Sequence, residues 1–316
     1  MTQVLRLTRD NPIVHIKAYA GVKIEGVDQP EITCEIDAPQ LVTMVEDGDH
    51  VYITVNSSCR LTVPALSSLE IERAMGSAKI ASIKNPIRIE KVFGNLVLLD
   101  ISEAIIGKVG GNFSVQRSES SVKIEKVGGN LIVADVGSFR CEKIGGSCKV
   151  RQVHGDFILE KAGGNIKAQD ITGVFSVRSV GGSFFSKNVY LGGDLRVGGN
   201  IRVIRLGLGK NGLTLKAGGD INVELDDDFA GALFKLNSGA EDIRIKHKED
   251  DLKIHSGYHA YKISNADQSV VASAGGSIII SELIQPDEDI IGDLSDHFDF
   301  EETRYSEMIQ ERIETA

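Results

Sequence analysis

The chain has no tryptophan, and aromatic residues make up only 5% of its 316 positions. That scarcity argues against aromatic sugar platforms and base-stacking surfaces. Proline is scarce and unevenly placed: Pro12, Pro30, Pro39, Pro64 and Pro86 precede residue 87, Pro286 follows, and the stretch between has none. Because proline cannot donate to a strand ladder, the gap marks that stretch as strand territory. The four cysteines show no Cys-x-x-Cys spacing, and Cys141 and Cys148 fall on inward positions where a reduced thiol behaves as a small hydrophobe. No apolar run approaches a membrane span, and Met1 to Leu7 lacks the apolar core of a signal peptide. The expectation is a cytoplasmic chain without membrane insertion. Nucleophile elbow, phosphate loop and His-Glu-x-x-His are all missing, so no catalytic residue, cofactor or metal is assigned.

Positive charge is lacking at one end only. Residues 285–316 hold eleven acidic and two basic residues, net −9 of the chain's −10, which leaves the rest near −1. A neutral body lacks the electrostatic footprint of a nucleic-acid binder.

What the chain has in abundance is glycine, 34 residues, and it keeps time. Lys108-Val109-Gly110-Gly111-Asn112 returns as Lys126-Val127-Gly128-Gly129-Asn130, Lys143-Ile144-Gly145-Gly146-Ser147 and Lys161-Ala162-Gly163-Gly164-Asn165. Looser copies end at Asn95, Ser183, Asn200 and Asp220. The spacing of 17 or 18 residues, 20 at the last step, is that of stacked repeats. Gly137, Gly155 and Gly173 halve the period, so each repeat holds two short strands, each with one buried face. The inward positions predict one column Leu96, Phe113, Leu131, Cys148, Ile166, Phe184, Ile201, Ile221 and a neighbour Leu98, Val115, Val133, Val150, Ala168, Ser186, Val203, Val223. On the other face Phe139, Phe157 and Phe175 should stack. The expected fold is all-β, a parallel β-solenoid spanning residues 63–284. An N-terminal β cap (1–62) precedes it, and an acidic, partly helical tail (285–316) follows. In that tail Phe300, Tyr305, Met308, Ile309 and Ile313 follow helical spacing and form a candidate assembly stripe.

The early β segment, the Leu61-Thr62-Val63-Pro64 entry and the Gly-Gly-Asn punctuation resemble a bacterial β-solenoid family of "putative adhesins" and, more distantly, the bactofilins, cytoskeletal β-helices that polymerise. The resemblance covers roughly residues 10–284 and implies the fold; it has no catalytic motif to carry over. This chain departs from a secreted adhesin by lacking an export signal, and from a bactofilin by its longer body and acidic tail.

Among polar residues the most regular row is Lys91, Lys108, Lys126, Lys143, Lys161, Ser179, Arg196 and Lys216, a ladder of cations along one edge. Glu90, Glu125, Glu142 and Glu160 run beside it, and Asp100, Asp135 and Asp170 occupy the opposite corner. The plain reading is a solvated edge that blocks side-by-side aggregation; the sharper one is an edge that binds an anionic surface or the tail. The Asn95-to-Asp220 column reads as turn residues bonding neighbouring backbone. His247, His255 and His259 read as exposed loop histidines rather than a metal site. Taken together these features favour a non-enzymatic scaffold whose partner is a second copy of itself. An adhesin-like module for a surface or polymer is the alternative, and a polysaccharide-acting β-helix enzyme the third reading.

Overall fold

The computed structural model describes residues 2–6, 11–248, 250–264 and 268–283. The expected tail helix with Phe300 to Ile313 lies outside them. Residues Met1–Glu282 form one compact unit. The described residues are all-β, without an α-helix; one short 3-10 turn spans Pro39–Leu41.

The first strands are β1 (Thr2–Arg6), β2 (Ile13–Ala18), β3 (Val22–Val27), β4 (Glu31–Glu35), β5 (Val42–Asp47), β6 (His50–Val55), β7 (Cys59–Pro64), β8 (Ser68–Ala74) and β9 (Ala78–Ile83). Those that keep the glycine spacing are β10 (Ile87–Val92), β11 (Leu96–Ile101), β12 (Ala104–Val109), β13 (Phe113–Val127), β14 (Leu131–Ile144), β15 (Cys148–Val153), β16 (Phe157–Ala162), β17 (Ile166–Val180), β18 (Phe184–Val197) and β19 (Ile201–Ala217). The last are β20 (Ile221–Leu225), β21 (Ala232–His247), β22 (Asp250–Ile263), β23 (Ser269–Ala274) and β24 (Ile278–Glu282).

Each strand or half-strand of the metred region pairs in parallel with its equivalent one period on, and the chain alternates between two columns. In the first, Leu96 pairs with Phe113, then Leu131, Cys148, Ile166, Phe184, Ile201 and Ile221, in the order read from the sequence. In the second, Phe139 pairs with Phe157 and Phe157 with Phe175. Their rings stack at 5.3 and 4.8 Å, and Phe113 and Phe184 from the first column close the row at 6.4 and 5.9 Å. The inward residues of the two columns therefore meet in one core. Between the columns a bend recurs at Ser82, Asp100, Arg117, Asp135, Gln152, Asp170, Asn188 and Arg205, all with φ between 52° and 60°. Asp and Asn tolerate that left-handed conformation better than most residues.

The Gly-Gly-Asn corner is held by a side-chain ladder. Asn112 N donates to Asn95 Oδ1, Asn130 N to Asn112 Oδ1 and Ser147 N to Asn130 Oδ1, each at 2.8 Å. It runs on through Asn165, Ser183, Asn200 and Asp220 to Ser277. Turn residues bonding the next repeat are thus what the column contains.

The ends depart from the regular two-column order. β2 and β3, placed in the cap by sequence, pair in parallel as a repeat wedged between β6–β7 and β8–β9. Antiparallel β5 covers β6, and β4 with β1 covers β7. At the far end the apolar Ser277 to Ser281 stretch is interior: β24 lies between β20 and β21, and Ile278 and Ile280 are fully buried. Among the described residues the outermost strand at this end is β22, antiparallel to β21. Its Asp250, Asp251, Lys253 and Lys262 are the charges that keep an exposed strand from recruiting another.

Ser186, the polar member of its inward column, is fully buried and its hydroxyl has no hydrogen-bond partner among the described residues. An orphaned buried hydroxyl costs about 1–3 kcal/mol, so Ser186→Ala should raise stability by about 1 kcal/mol. Urea melts of the two chains read this directly, and a loss of stability would count against that account.

Candidate binding edge

Parallel in-register pairing puts like residues on like, so a residue type kept once per period becomes a row. Starting in β2, Lys17 pairs with Arg73, Arg73 with Lys91, Lys91 with Lys108, Lys108 with Lys126, Lys126 with Lys143 and Lys143 with Lys161. Ser179 interrupts, then Arg196 and Lys216 continue to Ser273. The predicted row is brought together as one line with about 4.8 Å between neighbours.

The first cations of that row are already engaged. Lys17 Nζ lies 3.1 Å from Glu72, Arg73 also contacts Glu72, and Lys91 Nζ sits 3.9 Å over the Phe93 ring. The remainder, Lys108, Lys126, Lys143, Lys161, Arg196 and Lys216, are exposed and form no ion pair among the described residues. Glu160 pairs with Arg178 at 3.4 Å instead of with Lys161. Two like charges about 4.8 Å apart in water repel by roughly 1 kcal/mol, a cost that a line of anions would reverse.

The opposite corner is different. Side chains at and beside its bends pair along the column: Arg117 Nη2 donates to Asp100 Oδ2 at 2.8 Å, His154 Nε2 lies 2.9 Å from Asp135 Oδ1, and Asn188 Nδ2 donates to Asp170 Oδ1 at 2.7 Å. The Arg117 guanidinium holds the Asp100 carboxyl below the usual carboxylate range. A shallow groove of about 450 Å³ runs here, lined in part by Ser82, Asp100, Arg117, Ser118, Asp135 and His154. Ser118 Oγ donates to the Ser102 carbonyl at 2.9 Å, so no Ser–His couple forms, and Asp100 and Arg117 neutralise one another. Sequence reasoning noted the three aspartates but missed this pairing, because Arg117, Gln152 and Arg205 break the run of residue types. It also missed Tyr19, Met75 and Phe93, exposed apolar residues where later repeats carry the first glycine of the pair.

The three histidines do not converge, and they sit on strands rather than in loops. His247 faces Asp250 across the β21–β22 hairpin, His255 faces Asp242, and His259 faces Leu236. Four strand residues separate His255 from His259 by about 13 Å. His255 Nδ1 is 2.6 Å from Asp242. Among the described residues no group of three or more His, Cys, Asp or Glu is placed to hold a metal, and no helix is long and apolar enough to cross a membrane.

No family model and no curated protein matches the chain. Two solved structures align with it at 8% identity. One is a putative cell adhesion protein from Clostridium sporogenes, covering 89% of this chain and 99% of that one with a TM-score of 0.20. The other is a putative adhesin from Bacteroides fragilis, covering 90% and 96% with a TM-score of 0.25. Neither likeness is close enough to carry a functional inference.

Proposed function

We propose that the chain is a parallel β-solenoid serving as a non-enzymatic binding module, and that its Lys edge engages an extended acidic polymer such as a polyuronate. The observation that carries this reading is the line of exposed cations from Lys108 to Lys216 with no ion pair among the described residues. A stiff row of evenly spaced charges meets a linear polyanion without ordering flexible loops, which keeps the entropic cost of association low. Self-association, the scaffold reading, draws less support from the ends, where antiparallel strands and charged side chains oppose strand addition.

The test is a charge reversal, Lys108→Glu with Lys126→Glu and Lys143→Glu in one chain. At about 1 kcal/mol per cation near an anionic surface, removing three costs about 3 kcal/mol. That is a loss of affinity of about a hundredfold or more for polygalacturonate by titration calorimetry. Wild-type binding should also weaken as salt rises, and neutral dextran should not bind. Unchanged affinity in a variant with unchanged circular dichroism, or no binding by the wild type, would overturn the proposal.

A further inference from the structure

Two of the four cysteines meet where the N-terminal antiparallel strands join the parallel body. β4 runs against β7, with Thr33 opposite Thr62, Cys34 opposite Leu61 and Glu35 opposite Arg60. Cys59 is two residues from Leu61 and projects from the same face, which puts it diagonally beside Cys34. The two side chains are near enough that each is the largest influence on the other's thiol. Cys34 is fully buried, whereas Cys59 is half-buried at the border of the core and open to a small reagent. The other two cysteines differ in surroundings: Cys141 and Cys148 are both buried, and burial pushes the Cys141 thiol up to about 12 and Cys148 well above its usual range.

We propose that Cys34 and Cys59 are a disulfide-forming pair, a modification site that staples β4 to β7. Their closeness also favours the chemistry, since the neighbouring Cys59 thiol holds Cys34 below the ordinary thiol range, while Cys34 and burial push Cys59 above it. The oxidant is a low-molecular-weight disulfide. One protein thiolate attacks a sulfur of that reagent, forming a mixed disulfide and releasing one reagent thiolate. The second protein sulfur then attacks the first, forming the Cys34–Cys59 bond and releasing the other reagent thiolate. The protein loses two protons and two electrons, and the reagent's sulfur–sulfur bond is reduced to two thiols. β4 is also the strand on which β1 pairs, so the bond would tie that antiparallel edge to the parallel repeats.

The experiment incubates the full chain with glutathione disulfide, alkylates remaining thiols under denaturing conditions and maps peptides by mass. The expected result is a mass lower by two hydrogens, one linked pair of peptides holding Cys34 and Cys59, and full alkylation of Cys141 and Cys148. Amide exchange in residues 31–35 should slow in the oxidised chain. Cys59→Ser, a small change at a half-buried site, should abolish the link. A stable glutathione adduct on Cys59 with Cys34 still alkylated, a link to Cys141 or Cys148, or no oxidation at all would each overturn the assignment.

Discussion

Replacing Phe157 with alanine is expected to cost about 3–5 kcal/mol of folding stability. The ring is fully buried and lies between Phe139 at 5.3 Å and Phe175 at 4.8 Å. Its removal opens a gap in the middle of a continuous row of rings. Neighbours can fill such a gap only by moving along the stacking axis, and they are held against that movement by backbone pairing, Phe139 to Phe157 and Phe157 to Phe175. The cavity therefore persists, which places the cost toward the upper part of the range. Lys161→Ala is the matched control: it lies four residues on in the same strand, exposed and without an ion pair among the described residues, and should cost less than about 1 kcal/mol. Chemical denaturation of both variants checks the pair, and equal costs would mean that Phe157 is not where the packing energy lies.

The interior of the fold was legible because each period repeats the same decision. Glycine spacing fixes which residue meets which, and the columns from Leu96 to Ile221 and from Leu98 to Val223 pair as their spacing implies. The stacked phenylalanines and the Asn ladder follow from that register. The ends were not legible in the same way. An apolar alternation says that a strand has one buried face, but any repeat of the stack offers that face an equivalent bed. Nothing in Ile13 to Ala18 or Ser269 to Ala274 therefore states that these strands are inserted between partners far away in sequence. One clue was available. Ile278-Ile279-Ile280 has the composition of a central strand, whereas β22, with its charges, has that of an edge.

For the candidate site the division is similar. The Lys row was readable because one residue type holds one position for many periods, and its freedom from ion pairs had to be seen in space, since Glu125 and Glu142 are adjacent in sequence to Lys126 and Lys143 yet form no ion pair with them. The opposite corner keeps a backbone conformation rather than a residue type. Conformation is written weakly in sequence: Asp100, Asp135 and Asp170 suggest it, while Arg117 and Arg205 adopt it with little to announce it.

Gly145→Ala is expected to destabilise the protein by about 1–3 kcal/mol, although the backbone there is not left-handed and alanine is the smallest possible change. The reason is proximity. A Cβ at Gly145 would stand 2.1 Å from the carbonyl oxygen of Gly128, and one at Gly128 would stand 2.1 Å from that of Gly110. A backbone carbonyl cannot rotate away as a side chain can, and Gly145 N donates to Val127 O at 2.9 Å, which holds the two repeats together at that point. Relief therefore requires opening the stack at the corner, where Gly146 N also donates to Gly129 O. Gly48→Ala supplies the contrast, since Gly48 has a φ of 62° with nothing within 4 Å of a new Cβ, so only the left-handed penalty of about 1–2 kcal/mol applies. The two costs overlap in size but differ in place. Gly145→Ala should speed amide exchange at Gly145 and Gly146 and in the neighbouring repeats, and Gly48→Ala only around the β5–β6 turn. Wild-type exchange rates at the Gly145 corner in the first variant would show that closeness of the repeats is not what keeps glycine in the metre.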